Sequence, residues 1–222
     1  MEDISTLFHG TEFIDPQDPY KLALVASGQK DGHLVYDIGP DETVQLGGAS
    51  QGAGALTDIL LKLETPFFTR EVTQPVGDTY GSGEITLIGF FVGATQDWVQ
   101  KYDEKLEDAS DCRTLGEFEG YPECCVTEFC TATPDYLEQD GDYLDAVTAY
   151  LTEHEVAETD ARLLTILPDL SHYPCSFDCE RSLTMSEDYL TFFDDHYQEA
   201  FSYFEELSTE RLADRGLGNK GG

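Results

Sequence analysis

Two short cysteine motifs place the strongest constraint on the fold of this chain. If the motifs form one site, the fold must bring them together in space. They contain four of the six cysteines in the 222-residue sequence. The motifs are Gly120-Tyr121-Pro122-Glu123-Cys124-Cys125 and His172-Tyr173-Pro174-Cys175-Ser176-Phe177-Asp178-Cys179. Proline is favoured at the first position of a helix, where its missing N–H is not needed. We therefore predict that each proline begins a helix and that both helix N-termini point at one place.

Under this prediction, the thiols of four cysteines lie close together. Cys124 and Cys125 would lie in the first turn of one helix, and Cys175 and Cys179 would share a face of the other. Unpaired N–H groups and the positive end of the helix dipole favour thiolate there. Such a group suits a zinc ion or an iron–sulfur cluster, although neither spacing matches the Cys-x2-Cys of a zinc ribbon. His172 is a possible further ligand.

Three interpretations of the four cysteines stay open. The leading one is a metal- or iron–sulfur-binding protein built on a four-cysteine site. The first alternative is a metal-free thiol redox or nucleophilic enzyme, in which one cysteine attacks and a neighbour resolves. The second is a non-enzymatic interaction module with structural cysteines, since free cysteine is often buried. The sequence does not decide whether the protein is an enzyme, and it identifies no catalytic residue, reaction or substrate.

Four other residues are candidates for supporting the site. Arg113 comes shortly before the first motif and Arg181 shortly after the second, in a chain with only 12 lysines and arginines. A guanidinium near clustered thiolates would offset their charge or hold an anion. Ser176 and Ser182 could donate hydrogen bonds to sulfur.

The charge of the chain is extreme and is spread along its whole length. Forty-five acidic residues against 12 basic ones give a net charge of -33 and a pI near 4.1. At molar salt the Debye length shrinks to about 3 Å, so like charges repel weakly while carboxylates keep the surface hydrated. We therefore expect a halophilic protein in a cytoplasm rich in KCl. No basic patch for nucleic acid is evident.

The sequence gives one expectation about location and none about assembly. No apolar run approaches the roughly 20 residues of a membrane span. The N-terminus, Met1-Glu2-Asp3-Ile4, lacks the basic and apolar regions of a signal peptide. We expect a cytoplasmic protein without a membrane partner, and its partners and oligomeric state are unknown.

Hydrophobic periodicity predicts an α+β fold. The N-terminal half mixes helices and strands and is expected to pack on a mainly helical, cysteine-containing C-terminal half. The strand over 84–92 is too apolar to be half exposed, so we expect it at the centre of its sheet. The other predicted elements are helices over 16–30, 55–63, 95–107, 122–131, 134–153, 155–167 and 186–208, and strands over 33–38, 43–46 and 67–73.

The predicted domains follow this change of character. Residues 1–108 form the mixed region, residues 109–212 the helical region, and residues 213–222 a glycine-rich, disordered tail. The glycine-rich run over 47–54 has the layout of a phosphate loop but lacks the Gly-Lys-Ser/Thr ending. We predict a surface turn there, and the sequence does not say whether it binds anything.

The two cysteine motifs resemble those of a family of archaeal proteins catalogued as a domain of unknown function. That family carries Gly-Tyr-Pro-x-Cys-Cys followed by an aromatic residue, then Pro-Cys-Ser-x-x-Cys-x-x-Ser. The matching residues here are Gly120, Tyr121, Pro122, Cys124, Cys125, Phe129, Pro174, Cys175, Ser176, Cys179 and Ser182. The resemblance implies an archaeal source and supplies no activity.

Overall fold

The computed structural model describes residue 15 and residues 17–38, 54–76, 83–106, 111–131 and 143–217. They belong to two compact units, Met1–Gly120 and Tyr121–Gly222. The predicted strand over 43–46 and the glycine-rich run up to residue 53 lie outside the described residues. The predicted domain boundary near residue 108 stays a prediction. A compact unit need not be a domain that folds on its own.

The first unit is built on a three-stranded antiparallel sheet with the order β1-β3-β2. The most apolar strand, β3, is therefore central, as predicted. Pro75 lies in the edge strand β2, where a missing ladder donor is tolerated. The elements are α1 Asp18–Ala26, β1 Gly32–Ile38, α2 Gly54–Lys62, β2 Phe67–Val76, β3 Gly83–Gly93, α3 Gln96–Asp103 and α4 Cys112–Phe118.

Alternation along the strands gives this sheet two buried faces. Phe90 packs with residues of α1 and α2, whereas its neighbour Phe91 packs with residues of α3 and α4. The fit against α4 is tight, because a Cβ built on Gly32 would approach the carbonyl oxygen of Phe118 to 2.6 Å. Helices therefore cover both sides of the sheet in this unit.

The first unit also buries a network of four ionisable side chains. Lys30 Nζ donates to the Glu119 carboxylate at 2.8 Å and to the Glu119 carbonyl oxygen at 2.7 Å. His33 joins the two acids, with Nε2 2.8 Å from Asp18 and Nδ1 3.4 Å from Glu119. The other Glu119 carboxylate oxygen accepts the N–H of Leu34 at 3.1 Å. This network satisfies buried charges from α1, β1 and the end of α4.

The pKa values in this network reflect burial and pairing together. Burial opposes the charged form of Glu119, but Lys30 and His33 outweigh it and hold the Glu119 pKa well below its ordinary value. Burial lowers the pKa of Lys30 and raises that of Asp18. For His33, burial is outweighed by Glu119 and Asp18, so its pKa is raised. The charged Glu119 is therefore the centre of the network.

The second unit is helical in all its described elements, which confirms the α+β class. Helices α7, α8 and α9 pack against one another. Arg211 of α9 pairs with Asp169 and donates to the carbonyl oxygen of Thr165 on α7. The helices are α5 Glu123–Thr131, α6 Tyr143–Glu153, α7 Glu158–Leu170, α8 Glu180–His196 and α9 Gln198–Asp214.

The structure differs from the sequence-based prediction at the C-terminal helices. The helix predicted over 186–208 is interrupted at Tyr197, whose φ of -144° and ψ of 72° are not helical, so two helices replace one. The last helix continues to Asp214, within the predicted tail, and residues 218–222 lie outside the described part. None of the described helices combines the length and apolarity that a bilayer crossing requires.

Candidate metal centre

The side chains of Cys124, Cys125, Cys175 and Cys179 lie together in the second unit. One Sγ atom from each lies within 4.8 Å of all the others. Cys124 Sγ is 3.9 Å from Cys125 Sγ and 3.8 Å from Cys179 Sγ, and Cys125 Sγ is 3.8 Å from Cys179 Sγ. The two motifs therefore meet, as predicted, and Cys112 and Cys130 are not part of this group.

The first motif adopts the predicted geometry. The carbonyl oxygen of Pro122 accepts the N–H of Cys125 at 2.9 Å and that of Val126 at 3.0 Å. Helix α5 follows at Glu123, so Cys124 and Cys125 lie in its first turn. Cys125 is buried, whereas Cys124 is only partly exposed. The local sequence thus presents adjacent thiols at the start of one helix.

The second motif differs from the prediction. Pro174 does not begin a helix: residues 172–174 have no regular structure, residues 175–178 form a bend and a turn, and α8 begins at Glu180. Cys179 is the N-cap residue, and its N–H donates to the carbonyl oxygen of Ser176 at 3.2 Å. Ser and Asp favour local turns, and an acidic residue favours a helix start, which explains the later beginning. A turn therefore brings Cys175 and Cys179 together, rather than one helix face.

One backbone N–H and one hydroxyl group lie within hydrogen-bond distance of the buried sulfur of Cys125. The backbone N–H of Cys175 donates to it at 3.4 Å. The Ser182 hydroxyl lies 3.1 Å from Cys125 Sγ and 3.4 Å from Cys179 Sγ. Ser182 was a predicted supporting residue, and it does contact sulfur.

His172 is linked to the sulfurs through one intervening group, the hydroxyl of Ser182. Its Nε2 is 2.9 Å from the Ser182 hydroxyl and its Nδ1 is 2.7 Å from the Ser171 hydroxyl. Its ring stacks on Tyr121, with the centroids 4.8 Å apart. Both nitrogens therefore have serine partners, and His172 is not among the four clustered donors.

Among the described residues, no hydrogen bond from Ser176 or Arg181 to the four sulfurs is observed. The Ser176 side chain is exposed, although its carbonyl oxygen shapes the turn. Arg181 is exposed in the first turn of α8. Arg113 is exposed on α4 of the first unit. Their supporting roles stay predictions.

The thiols respond unequally to this environment. Burial raises the pKa of Cys125 far above its usual range and that of Cys175 to about 11. For Cys179, burial also opposes the thiolate, but hydrogen bonds from the side chain and backbone of Ser182 outweigh it. The Cys179 pKa is thereby lowered to about 7. Without a cation, the group therefore favours one thiolate over four.

This donor set can hold a metal. Soft sulfur ligands in a compact group are compatible with zinc or an iron–sulfur cluster. The sequence pointed to all four cysteines and to Ser182 but missed Ser171, which precedes the second motif and follows α7. Its only sequence indication is its place next to His172.

Comparison with known proteins assigns the chain to a family. Residues 95–208, about half of the chain, match the family described as Protein of unknown function (DUF483). The chain belongs to this family, and the matched region contains all four clustered cysteines. No curated protein and no solved structure matches the chain significantly.

Proposed function

We propose that the second unit is a metal-binding module that holds one zinc ion through Cys124, Cys125, Cys175 and Cys179. The sulfur separations support this most directly. A Zn–S bond of about 2.3 Å puts neighbouring sulfurs of a regular tetrahedron roughly 3.8 Å apart. Three sulfur pairs here are separated by 3.8, 3.8 and 3.9 Å. These three sulfurs therefore have the spacing of a single tetrahedral coordination sphere, and Cys175 Sγ lies within 4.8 Å of each of them.

The same distances favour one ion over a cluster. A four-iron cluster bonds each cysteine to a different iron atom, so its ligand sulfurs stand farther apart than sulfurs that share one ion. A single iron atom bound by four thiolates has nearly the dimensions of the zinc site. Metal analysis must therefore separate zinc from iron.

The proposed ion has a structural role. Four protein ligands fill a tetrahedral zinc ion, whereas a catalytic zinc keeps one position for water or substrate. Cys124 and Cys175 are partly exposed, which gives the ion a path of entry, and Cys125 and Cys179 are buried. The ion would fasten the start of α5 to the turn before α8.

Metal analysis of the full chain purified without oxygen tests this proposal. We expect about one zinc ion per chain, as in other closed tetrathiolate sites. Replacement of zinc by Co²⁺ should give the intense visible bands of a tetrahedral thiolate complex. Cys179→Ser should lose the metal, whereas Glu128→Gln, an exposed change on α5, should retain it. A wild-type protein that takes up neither metal would refute the proposal.

Thiol–disulfide exchange is the second candidate, because Cys179 has a lowered pKa and lies beside other thiols. Its thiolate would attack a disulfide substrate, forming a mixed disulfide and releasing one substrate thiolate. Cys124 would then attack Cys179 Sγ and expel the second substrate thiol, leaving a Cys124–Cys179 disulfide. The substrate disulfide accepts the two electrons.

One set of measurements separates these candidates. A metal-free protein with a rapidly alkylated Cys179 that reduces a small disulfide such as cystine would favour exchange chemistry. A protein with neither metal nor a reactive thiol would be an interaction module whose cysteines are structural.

We also propose that the protein works in molar KCl inside a halophilic archaeon. The support is the net charge of -33 spread over the chain. At low salt this charge destabilises a compact state through self-repulsion, and concentrated salt screens it. Its partners would then be those that tolerate an acidic surface at high ionic strength.

A further inference from the structure

We infer that His172 is a positioning residue for the metal centre, acting through Ser182 on the sulfurs of Cys125 and Cys179. This inference rests on the proposed zinc function. It assigns His172 a place behind the ligands, instead of the ligand role that its position in the sequence suggested. Ser182 is the link, because its hydroxyl lies between the imidazole and two sulfurs.

The count of hydrogens fixes the direction of this link. A metal-bound thiolate has no proton, so it can only accept a hydrogen bond. The single Ser182 hydroxyl hydrogen must therefore point at sulfur, toward Cys125 at 3.1 Å or toward Cys179 at 3.4 Å. The Ser182 oxygen then accepts from His172, so Nε2 carries the proton. In the neutral ring Nδ1 accepts from the Ser171 hydroxyl, 2.7 Å away.

Burial holds this relay in place. Ser182 is 0% exposed, Ser171 2% and His172 6%. Tyr121 stacks on the imidazole at 4.8 Å and restricts its rotation. In this setting water cannot readily replace either partner of the serine hydroxyl. The hydrogen-bond direction is therefore set by His172 rather than by solvent.

The relay has a defined effect on the metal. A hydrogen bond to a thiolate draws electron density from sulfur, and such outer partners also orient the ligand. Both sulfurs that Ser182 contacts, those of Cys125 and Cys179, are buried, so they depend on protein donors rather than on water. Loss of the relay should leave the four ligands in place but make these two sulfurs more electron-rich and less well oriented.

The visible spectrum of the Co²⁺-loaded full chain reports on the sulfur ligands and is insensitive to changes in packing elsewhere. In Ser182→Ala the sulfur-to-cobalt charge-transfer band should shift to lower energy. Competition with a chelator should show zinc affinity reduced by about ten- to a hundred-fold, the usual effect of losing an outer partner. Wild-type helicity by circular dichroism would show that the variant folds.

Two changes at His172 test its action through Ser182. His172→Phe keeps a ring to stack on Tyr121 but has no N–H, so it should shift the band as Ser182→Ala does. His172→Gln keeps an N–H near the Nε2 position and should restore most of the wild-type spectrum. The double variant Ser182→Ala/His172→Phe should match Ser182→Ala alone, because both changes break one chain of contacts.

The outcomes distinguish this inference from the proposed function. A wild-type chain that binds no Co²⁺ or zinc overturns both. A wild-type chain that binds metal, with His172→Phe unchanged in spectrum and affinity, overturns the positioning role and leaves the zinc site standing. Full additivity of the two single changes would also overturn it, since His172 would then act independently of Ser182.

Discussion

The two units each bury polar groups, but they satisfy them in different ways. In the first unit Lys30 and Glu119 neutralise each other, and His33 links them to Asp18. In the second unit the sulfurs contact one another and neutral donors such as Ser182. The first centre contains its own cation, whereas the second would be balanced by the proposed ion. Among the described residues, two of the chain's few lysines, Lys21 and Lys30, are buried, and both lie in the first unit.

Removal of the metal should produce the largest effect and should fall on the second unit alone. Structural zinc sites in small domains contribute on the order of 10 kcal/mol of binding energy to folding. A strong chelator should therefore abolish much of the cooperative helical melting seen by circular dichroism. Trp98 is the only tryptophan and lies on α3 of the first unit, so its fluorescence should stay native.

Cys125→Ser should reproduce the effect of the chelator, and chelator should then change nothing further. Two results would contradict the proposed difference between the units. One is a wild-type melting curve that the chelator does not change, and the other is a loss of native Trp98 emission when the chelator is added.

Glu119→Gln should produce the next largest effect and should fall on the first unit. Lys30 would remain buried without its counter-ion, which costs about 3–5 kcal/mol. Glutamine still offers an oxygen to the N–H of Leu34, so the change isolates the charge. Urea unfolding followed by Trp98 fluorescence measures it. Glu117→Gln, an exposed change on the same helix, should stay within about 0.5 kcal/mol of wild type.

Salt should act on the surface and on neither buried centre. Raising KCl from low to molar concentration should increase the melting temperature by roughly 5 °C, or about 1–2 kcal/mol for a chain of this size. Because buried pairs are screened little, Glu119→Gln should gain as much as the wild type. A melting temperature that does not rise would refute the high-salt proposal, and a smaller gain in the variant would show a screened network.

The smallest effect should be the pH dependence that His33 confers. Its pKa is raised in the folded state by Glu119 and Asp18, so the folded chain binds more protons than the unfolded chain above about pH 6.5. The stabilisation by His33 is complete below that pH and is lost as the pH rises through the folded pKa. A tenfold difference in proton affinity between the folded and unfolded states is worth about 1.4 kcal/mol of stability.

His33→Gln should therefore lose this part of the pH profile in urea unfolding. His154→Gln, a change at an exposed histidine of the second unit, should keep it. An identical profile in His33→Gln and the wild type would show that His33 does not titrate as the network predicts.

The sequence predicted the elements well where periodicity decides them. The apolar run of β3 implied its central place, and Pro122 marked the start of α5 beside two thiols. It was wrong at Pro174, where a turn competes with the helix and local preferences differ little. The network of Lys30 and Glu119 was not foreseen, because the two residues are separated by 89 positions and only tertiary packing joins them.

The separation of the four clustered cysteines has a consequence for synthesis. Cys125 and Cys175 stand 50 positions apart and Cys124 and Cys179 stand 55 apart, so an ion bound as proposed would close a loop that contains α6 and α7. Closing such a loop lowers the entropy of the chain, and this cost is offset only after the ion has bound. On the ribosome, the first two thiols emerge well before their partners. Capture of the ion would therefore be a late event, timed by the appearance of Cys179.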